Sequence, residues 1–177
     1  MNYIGEELRP TLKETWSNEM LEIRAIDEGD ASWLFANTER LFNGQTIVSR
    51  GVVHDMLDKP GFIAIRDGTP VGVAMYDLIG NNCELVSIEI LEQWQGIGTR
   101  LIERLESHVR DLGANKLWLI TTNDNLDAMR FYQKRGFRLS AVHPGSLAAS
   151  RLLKPRIPLT GHYGIAMTDE VEFEKAL

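Results

Sequence analysis

A single cysteine, Cys83, stands in the chain, which excludes an internal disulfide and fits a reducing compartment. Positive charge is in deficit: 19 Lys and Arg against 25 Asp and Glu leave a net charge of −6. Nucleic acid is therefore not an expected partner, because neutralising phosphates takes a Lys/Arg surplus. A cationic amine meets no such objection. No apolar run approaches the roughly 18 residues of a membrane span, so no membrane partner is expected. The opening Met1-Asn2-Tyr3-Ile4-Gly5-Glu6-Glu7 has neither the basic nor the apolar region of a secretory signal. Repeats, low-complexity stretches and Pro/Gly/Ser-rich linkers are also missing. The expectation is one cytoplasmic domain.

What remains is ordinary globular material, 177 residues of which 44% are hydrophobic and 25% charged. Residues 1–20 have no clear period and read as an N-terminal extension to a domain over 21–177. Leu21–Ile26 alternates like a strand, and Trp33, Leu34, Thr38 and Leu41 recur at helical spacing with Asp30 as N-cap. Val52–Leu57 reads as a second short helix. Phe62–Arg66 and Val71–Leu78 are strand-like runs joined across Asp67-Gly68, a hairpin signal, and Glu84–Leu91 continues the meander. Ile97, Leu101, Leu105, Val109 and Leu112 form a helical stripe that Gly113 can end. Leu117–Ile120 has the continuous apolar pattern of a strand buried on both faces, Trp118 included. A helix over about 125–135, a strand over Phe137–Val142 and an alternating tail, Asp169–Lys175, read as an edge strand, complete the pattern. This order predicts an α/β fold with a mixed antiparallel and parallel twisted sheet flanked by helices, and a parallel crossover from Glu84 to Ile120.

One junction carries chemistry. Gln93-Trp94-Gln95-Gly96-Ile97-Gly98-Thr99 follows a strand and opens a helix. Glycines let a phosphate approach the backbone, and the first turn of a helix presents free N–H groups and a positive dipole end. No Gly-Lys-Ser/Thr or GxGxxG accompanies it, which removes the P-loop and dinucleotide alternatives.

Further on, Asn125-Leu126-Asp127-Ala128-Met129-Arg130-Phe131-Tyr132-Gln133-Lys134-Arg135-Gly136-Phe137 resembles the late helix of the GNAT superfamily of N-acetyltransferases: Asn, Ala three later, an apolar-Tyr pair, then Gly-Phe. The Gln93–Gly98 turn is similar to the superfamily's pyrophosphate turn, with Trp94 where a glycine or basic residue is common. The resemblance covers about 21–142. It implies the GNAT acyltransferase fold, a sheet of about seven strands, with acetyl-CoA as co-substrate and no metal. The acceptor it implies is an amine, on a small molecule or a protein, attacking directly in a ternary complex. It also implies that the backbone of Ile88, Glu89 and Ile90 pairs with the pantetheine arm. The turn residues Gln95, Gly96, Ile97, Gly98, Thr99 and Arg100 would hold the pyrophosphate. Asn125, Ala128, Phe131 and Tyr132 would line the cofactor's other side, and Tyr132 would assist departure of the thiolate. A non-catalytic acyl-CoA-binding or regulatory module is the alternative.

Acylating an alkylamine of pKa about 10.4 at pH 7 requires removing a proton, at a cost of about 4–5 kcal/mol, and a positioned base helps. Glu84 is the first candidate, because Glu84-Leu85-Val86 resembles the start of the catalytic strand in histone-type members. Glu89 is the second, expected on the opposite face of the strand because its offset from Glu84 is odd. His54, His108, His143 and His162 show no metal-ligand spacing and read as surface or structural residues. Between the strand ending near Val142 and the tail, the segment 143–167 is longer than an ordinary connection. Ser146–Leu153 has helical composition, and Arg151, Lys154 and Arg156 cluster beyond it. The expectation is that this segment folds over the acceptor side and offers its cations to an anionic substrate group, or that it forms a homodimer contact.

Overall fold

The structure, a computed structural model, describes residues 21–42, 44–92 and 95–177. The extension expected over 1–20 and the turn residues Gln93 and Trp94 lie outside the described residues.

Strand β1 (Leu21–Ala25) leads into a one-turn 3-10 helix capped by Asp27, whose carboxylate accepts from Gly29 N at 2.8 Å. Helix α1 (Ala31–Phe42) begins after it. Asp30 is therefore not the helix cap expected: its carboxylate accepts from Asp27 N at 2.9 Å and from Arg24 at 2.7 Å, closing the preceding turn. The second helix expected over Val52–Leu57 is also absent. In its place β2 (Thr46–Ser49) and β3 (Val52–Asp55) form a hairpin, followed by a 3-10 turn at Met56–Asp58. The hairpin turn is Arg50-Gly51, with φ of 49° and 77°. Two successive positive φ values give a turn whose twist matches the strands, and β-branched Val52 and Val53 favour the extended chain.

The expected meander is present as β4 (Gly61–Arg66), β5 (Thr69–Ile79) and β6 (Asn82–Ile90). Helix α2 (Ile97–Asp111) buries Ile97, Leu101, Leu105 and Val109, but Leu112 lies just beyond it and is exposed. The chain continues through β7 (Lys116–Thr122), α3 (Leu126–Gln133), β8 (Arg138–His143), α4 (Ser146–Leu153) and β9 (Glu170–Ala176). Seven strands form one sheet in the order β1-β4-β5-β6-β7-β9-β8, with β6 and β7 parallel and the other pairs antiparallel. The tail strand is thus interior, not an edge: β9 lies between β7 and β8. Its acidic residues meet partners on neighbouring strands, Glu174 with Lys116 and Arg138, and Glu172 with His143, while Phe173 is fully buried.

Two departures from a regular sheet position everything that follows. The β6–β7 ladder covers only Asn82–Glu84 against Lys116–Trp118. Beyond it the strands part, while β6 stays paired to β5 and β7 to β9. The second departure is a bulge in β6: Leu85 pairs with Tyr76 and Ser87 with Met75, leaving Val86 as the extra residue. One extra residue reverses the alternation. Glu84 shares a face with its partner Asp77, and Glu89 shares a face with Val73, which belongs to the small core of Leu34, Met56, Val73, Met75 and Val86 beneath α1. Ile88 and Ile90 turn to the larger core under α2 and α3. Glu84 and Glu89 therefore lie on the same face, not on opposite ones.

The segment after β8 is held against the β7–α3 junction. Asn123 accepts from Thr168 N at 3.0 Å and donates to Ala166 O at 2.8 Å, and buried Asp124 accepts from His162 N at 2.7 Å. A Cβ on Gly161 would fall 1.9 Å from Asp124 Oδ2. Gly161→Ala is expected to break this anchor and cost about 1–3 kcal/mol. Hydrogen exchange should accelerate across 157–168 while the amides of β4–β6 keep their protection.

Candidate functional site

Gly96 has φ 77°, the left-handed region that favours glycine, and caps α2 without any side-chain hydrogen bond. The first-turn N–H groups have no capping side chain among the described residues. Gly98 is buried, and a Cβ there would come 2.9 Å from the Phe131 ring. Helix α3 can approach the turn this closely only because that side chain is missing. Arg135 ties the two together: it donates to Thr99 Oγ1 at 3.0 Å and to Phe131 O at 2.8 Å, and lies over the Phe131 ring. Gln95 accepts from Arg66, and Arg100 donates to Leu21 O at 3.1 Å. Arg66, Asp67, Thr69, Val71, Glu92 and Gln95 line a cavity of about 460 Å³ beside the turn.

The gap between β6 and β7 leads away from this turn. Along it the backbone of β6 from Leu85 to Ile90 has no ladder partner on the β7 side. Tyr132 of α3 is buried, packed on Phe131, Phe137 and Phe173 with ring centroids 5.4, 5.7 and 6.3 Å away. Burial raises the pKa of its hydroxyl, and the neighbouring Glu89 charge raises it further. Asn125 caps α3, its Oδ1 accepting from Ala128 N at 3.2 Å. Cys83 is a buried strand residue, as read from sequence, and burial pushes its thiol up to about 12, far from a reactive thiolate.

On the face toward α1 and the β2–β3 hairpin the two carboxylates differ. Burial pushes Glu89 up to about 7, opposed by the Ser87 hydroxyl at 3.5 Å and by Arg40. Glu84 is buried and also raised, chiefly by desolvation, while Ser49 Oγ donates to its Oε1 at 2.6 Å. His54 is the residue that sequence reading missed. It is 4% exposed, not on the surface, and stands between Glu84 and Asp77. No signal at its position in the sequence marks it, because the hairpin that carries it reads as a helix. His108 is a structural residue bonded to Tyr76 Oη at 2.9 Å, and His143 lies 3.3 Å from Glu172. Among the described residues no cluster of His, Cys, Asp or Glu could hold a metal ion.

The segment 143–167 reaches this same face. Lys154 Nζ donates to Thr46 O of β2 at 2.5 Å, and Arg156 lies 3.7 Å from Glu39 of α1. Arg151 donates to the carbonyls of Ile157, Pro158 and Met167. It holds its own loop in shape, so it is not the substrate-facing cation expected.

The profile of the Acetyltransferase (GNAT) family matches residues 3–137. The chain is 38% identical over 132 residues to the uncharacterized protein YdhI of Bacillus subtilis (strain 168), covering 73% of this chain and 81% of that protein. Its fold is similar to that of the IAA acetyltransferase from Bacillus cereus ATCC 14579, with TM-score 0.66 and 20% identity over 89% of this chain and 100% of the other. It is likewise similar to a GNAT family acetyltransferase from Elizabethkingia anophelis with acetyl-CoA bound, at TM-score 0.65 and 20% identity over 89% and 98%. With a bare-amide turn at one end of a split parallel ladder and a family match over most of its length, this chain belongs to the GNAT acetyltransferase family.

Proposed function

We propose that the chain transfers the acetyl group of acetyl-CoA to an amine, by direct attack in a ternary complex. The observation that carries this reading is the opening between β6 and β7, with the Gly96 turn at its end and two carboxylates on one face. The residues fit the cofactor: Gly96 leaves the first amides of α2 without a side-chain partner, and the β6 edge offers a row of backbone groups to an extended arm. When bound, acetyl-CoA supplies an activated acyl group as a thioester.

The chain's own residues then have distinct tasks. The amides of Gly96–Thr99 hold phosphate, and the unpaired backbone of Ile88–Ile90 aligns the arm. The free amides there are also donors for a developing oxyanion. Tyr132 keeps its proton, since its pKa is raised, and donates a hydrogen bond to the leaving sulfur. Full transfer from a phenol to a thiolate is uphill by about 2 kcal/mol even on reference values. Glu84 accepts the amine's proton, held in place by Ser49. Glu89, nearer to Tyr132, is the competing base, favoured by a pKa of about 7, close to a working pH. The carboxylates on this face attract an ammonium, so the acceptor arrives as a cation and is deprotonated in place.

Gly96→Glu should abolish acetyl-CoA binding in calorimetry, by placing a carboxylate in the phosphate turn and by straining a backbone at φ 77°, while circular dichroism shows the fold retained. Gly98→Glu would also disturb Phe131 and is the poorer probe. Tyr132→Phe should lower kcat on the order of 10–100-fold with little change in acetyl-CoA affinity. Coenzyme A release with a panel of amines tests turnover itself: binding without release for any amine would leave a regulatory module.

Glu89 gives a separate prediction on stability. Its pKa is raised from 4.5 to about 7 by folding, so the folded state holds the proton more tightly than the unfolded state. Stability falls as pH rises through that window, and the whole cost is present above it. Glu89→Gln should therefore stabilise the protein above pH 7, by about 1–3 kcal/mol, and not below pH 4.5. Denaturant melts at pH 4 and pH 8 check the sign.

A further inference from the structure

His54 belongs to none of the motifs that point to acetyl transfer. It is buried on β3, and neither ring nitrogen has a hydrogen-bond partner among the described residues. A buried polar group left unpaired costs on the order of 1–3 kcal/mol, so an apolar residue would serve mere packing better. Its surroundings are specific. Nε2 lies 3.8 Å from Glu84 Oε2, and Nδ1 lies 3.8 Å from Asp77 Oδ2. Glu84 is in turn held by Ser49 from β2, and Asp77, on β5, by Lys59 Nζ at 2.5 Å from the chain following β3. Glu84 is buried, whereas the Asp77 side chain is 29% exposed. Glu84 and Asp77 are partners across the β5–β6 ladder, and the His54 ring lies against both, with Asp77 the more exposed of the two.

We propose that His54 relays the amine's proton from Glu84 to Asp77 and so to water. The proposal rests on Glu84 being the base of the reading above. The acceptor's N–H bond breaks and its proton passes to the Glu84 carboxylate. From Glu84 Oε2 a proton moves to His54 Nε2 while the proton on Nδ1 leaves for Asp77, which gives it to solvent. Glu84 is again ionised and the imidazole neutral, but the ring is left as the Nε2–H tautomer, so each turnover is completed by a rotation of the ring and proton exchange with solvent that restore Nδ1–H. This requires the Nδ1–H tautomer at rest, with the Nε2 lone pair toward Glu84. Burial, then Lys59, lower the pKa of His54 and Asp77 opposes them, so the ring is neutral at neutral pH as the relay demands. The 3.8 Å separations exceed a hydrogen bond by somewhat under 1 Å. Catalytic hydrogen bonds are often this long before substrate binds and tighten in the complex.

Two measurements decide the matter. Long-range nitrogen–proton NMR on the wild-type protein should show His54 as the Nδ1–H tautomer, with a titration that moves in Glu84→Gln. His54→Gln should lower kcat about tenfold near pH 7 and progressively less toward pH 9, with acetyl-CoA affinity unchanged. An Nε2–H tautomer, or a kcat within twofold of wild type at every pH, overturns the relay. If His54→Gln fails to fold, the tautomer in the wild-type protein still decides. An inactive Glu84→Gln beside an active His54→Gln would remove the relay alone. Full activity in Glu84→Gln would remove the base assignment and the relay with it.

Discussion

Two parallel strands that share a ladder for three residues and then part leave backbone donors and acceptors facing a gap. Such groups are costly to bury without partners. The structure tolerates the break because each strand keeps a complete ladder on its other side, β6 with β5 and β7 with β9. The aromatic side chains of Tyr132, Phe137 and Phe173, from α3, the residue before β8 and β9, pack on one another in the core. What remains unmatched is the inner edge of β6, an extended row of hydrogen-bonding groups suited to another extended chain. The Gly96–Thr99 turn stands at the end of that edge, and α3 packs against it only because Gly98 has no side chain.

Electrostatics on the adjoining face depend on the bulge at Val86. Without the extra residue, Glu84 and Glu89 would point to opposite sides of the sheet and one of them would enter the larger core. With it, both face α1 and the β2–β3 hairpin, and burial raises both. Each carboxylate keeps a hydroxyl neighbour, Ser49 or Ser87, and a cation within electrostatic reach. They are desolvated enough to be basic and paired enough to remain usable.

The sequence made the meander, both later helices and the phosphate turn legible, because each rests on local signals. Asp67-Gly68 and Arg50-Gly51 adopt the same pair of positive φ values, 49° and 77°. Only the first reads as a hairpin in the sequence, since aspartate is a familiar left-handed residue and arginine is not. The helical reading of the second hides the strand that carries His54, and with it the approach of His54 to Glu84 and Asp77. The bulge was invisible for a different reason: Val86 is as ordinary a strand residue as its neighbours, and only the pairing with Tyr76 and Met75 reveals it as extra. The tail reads as an edge because alternating Glu170, Val171, Glu172, Phe173 and Glu174 suggests a solvated strand. The partners that allow those carboxylates into the interior, such as Lys116 and Arg138, are far away in sequence.

The interior position of β9 has a consequence for how the domain assembles. Strand β8 forms its ladder with β9 alone, and β9 also supplies the second ladder of β7. During synthesis β8 emerges before the strand that must lie between it and the sheet. The first-made portion can close β1-β4-β5-β6-β7 as its contacts become available, but β8 must wait beside an open edge. Pairings such as Lys116 with Ala176 span a long stretch of chain and carry the entropy of closing it. Completion of the aromatic wall around Tyr132, to which Phe173 contributes, is therefore a late event, and the cleft acquires its final shape only when the last strand slides into place.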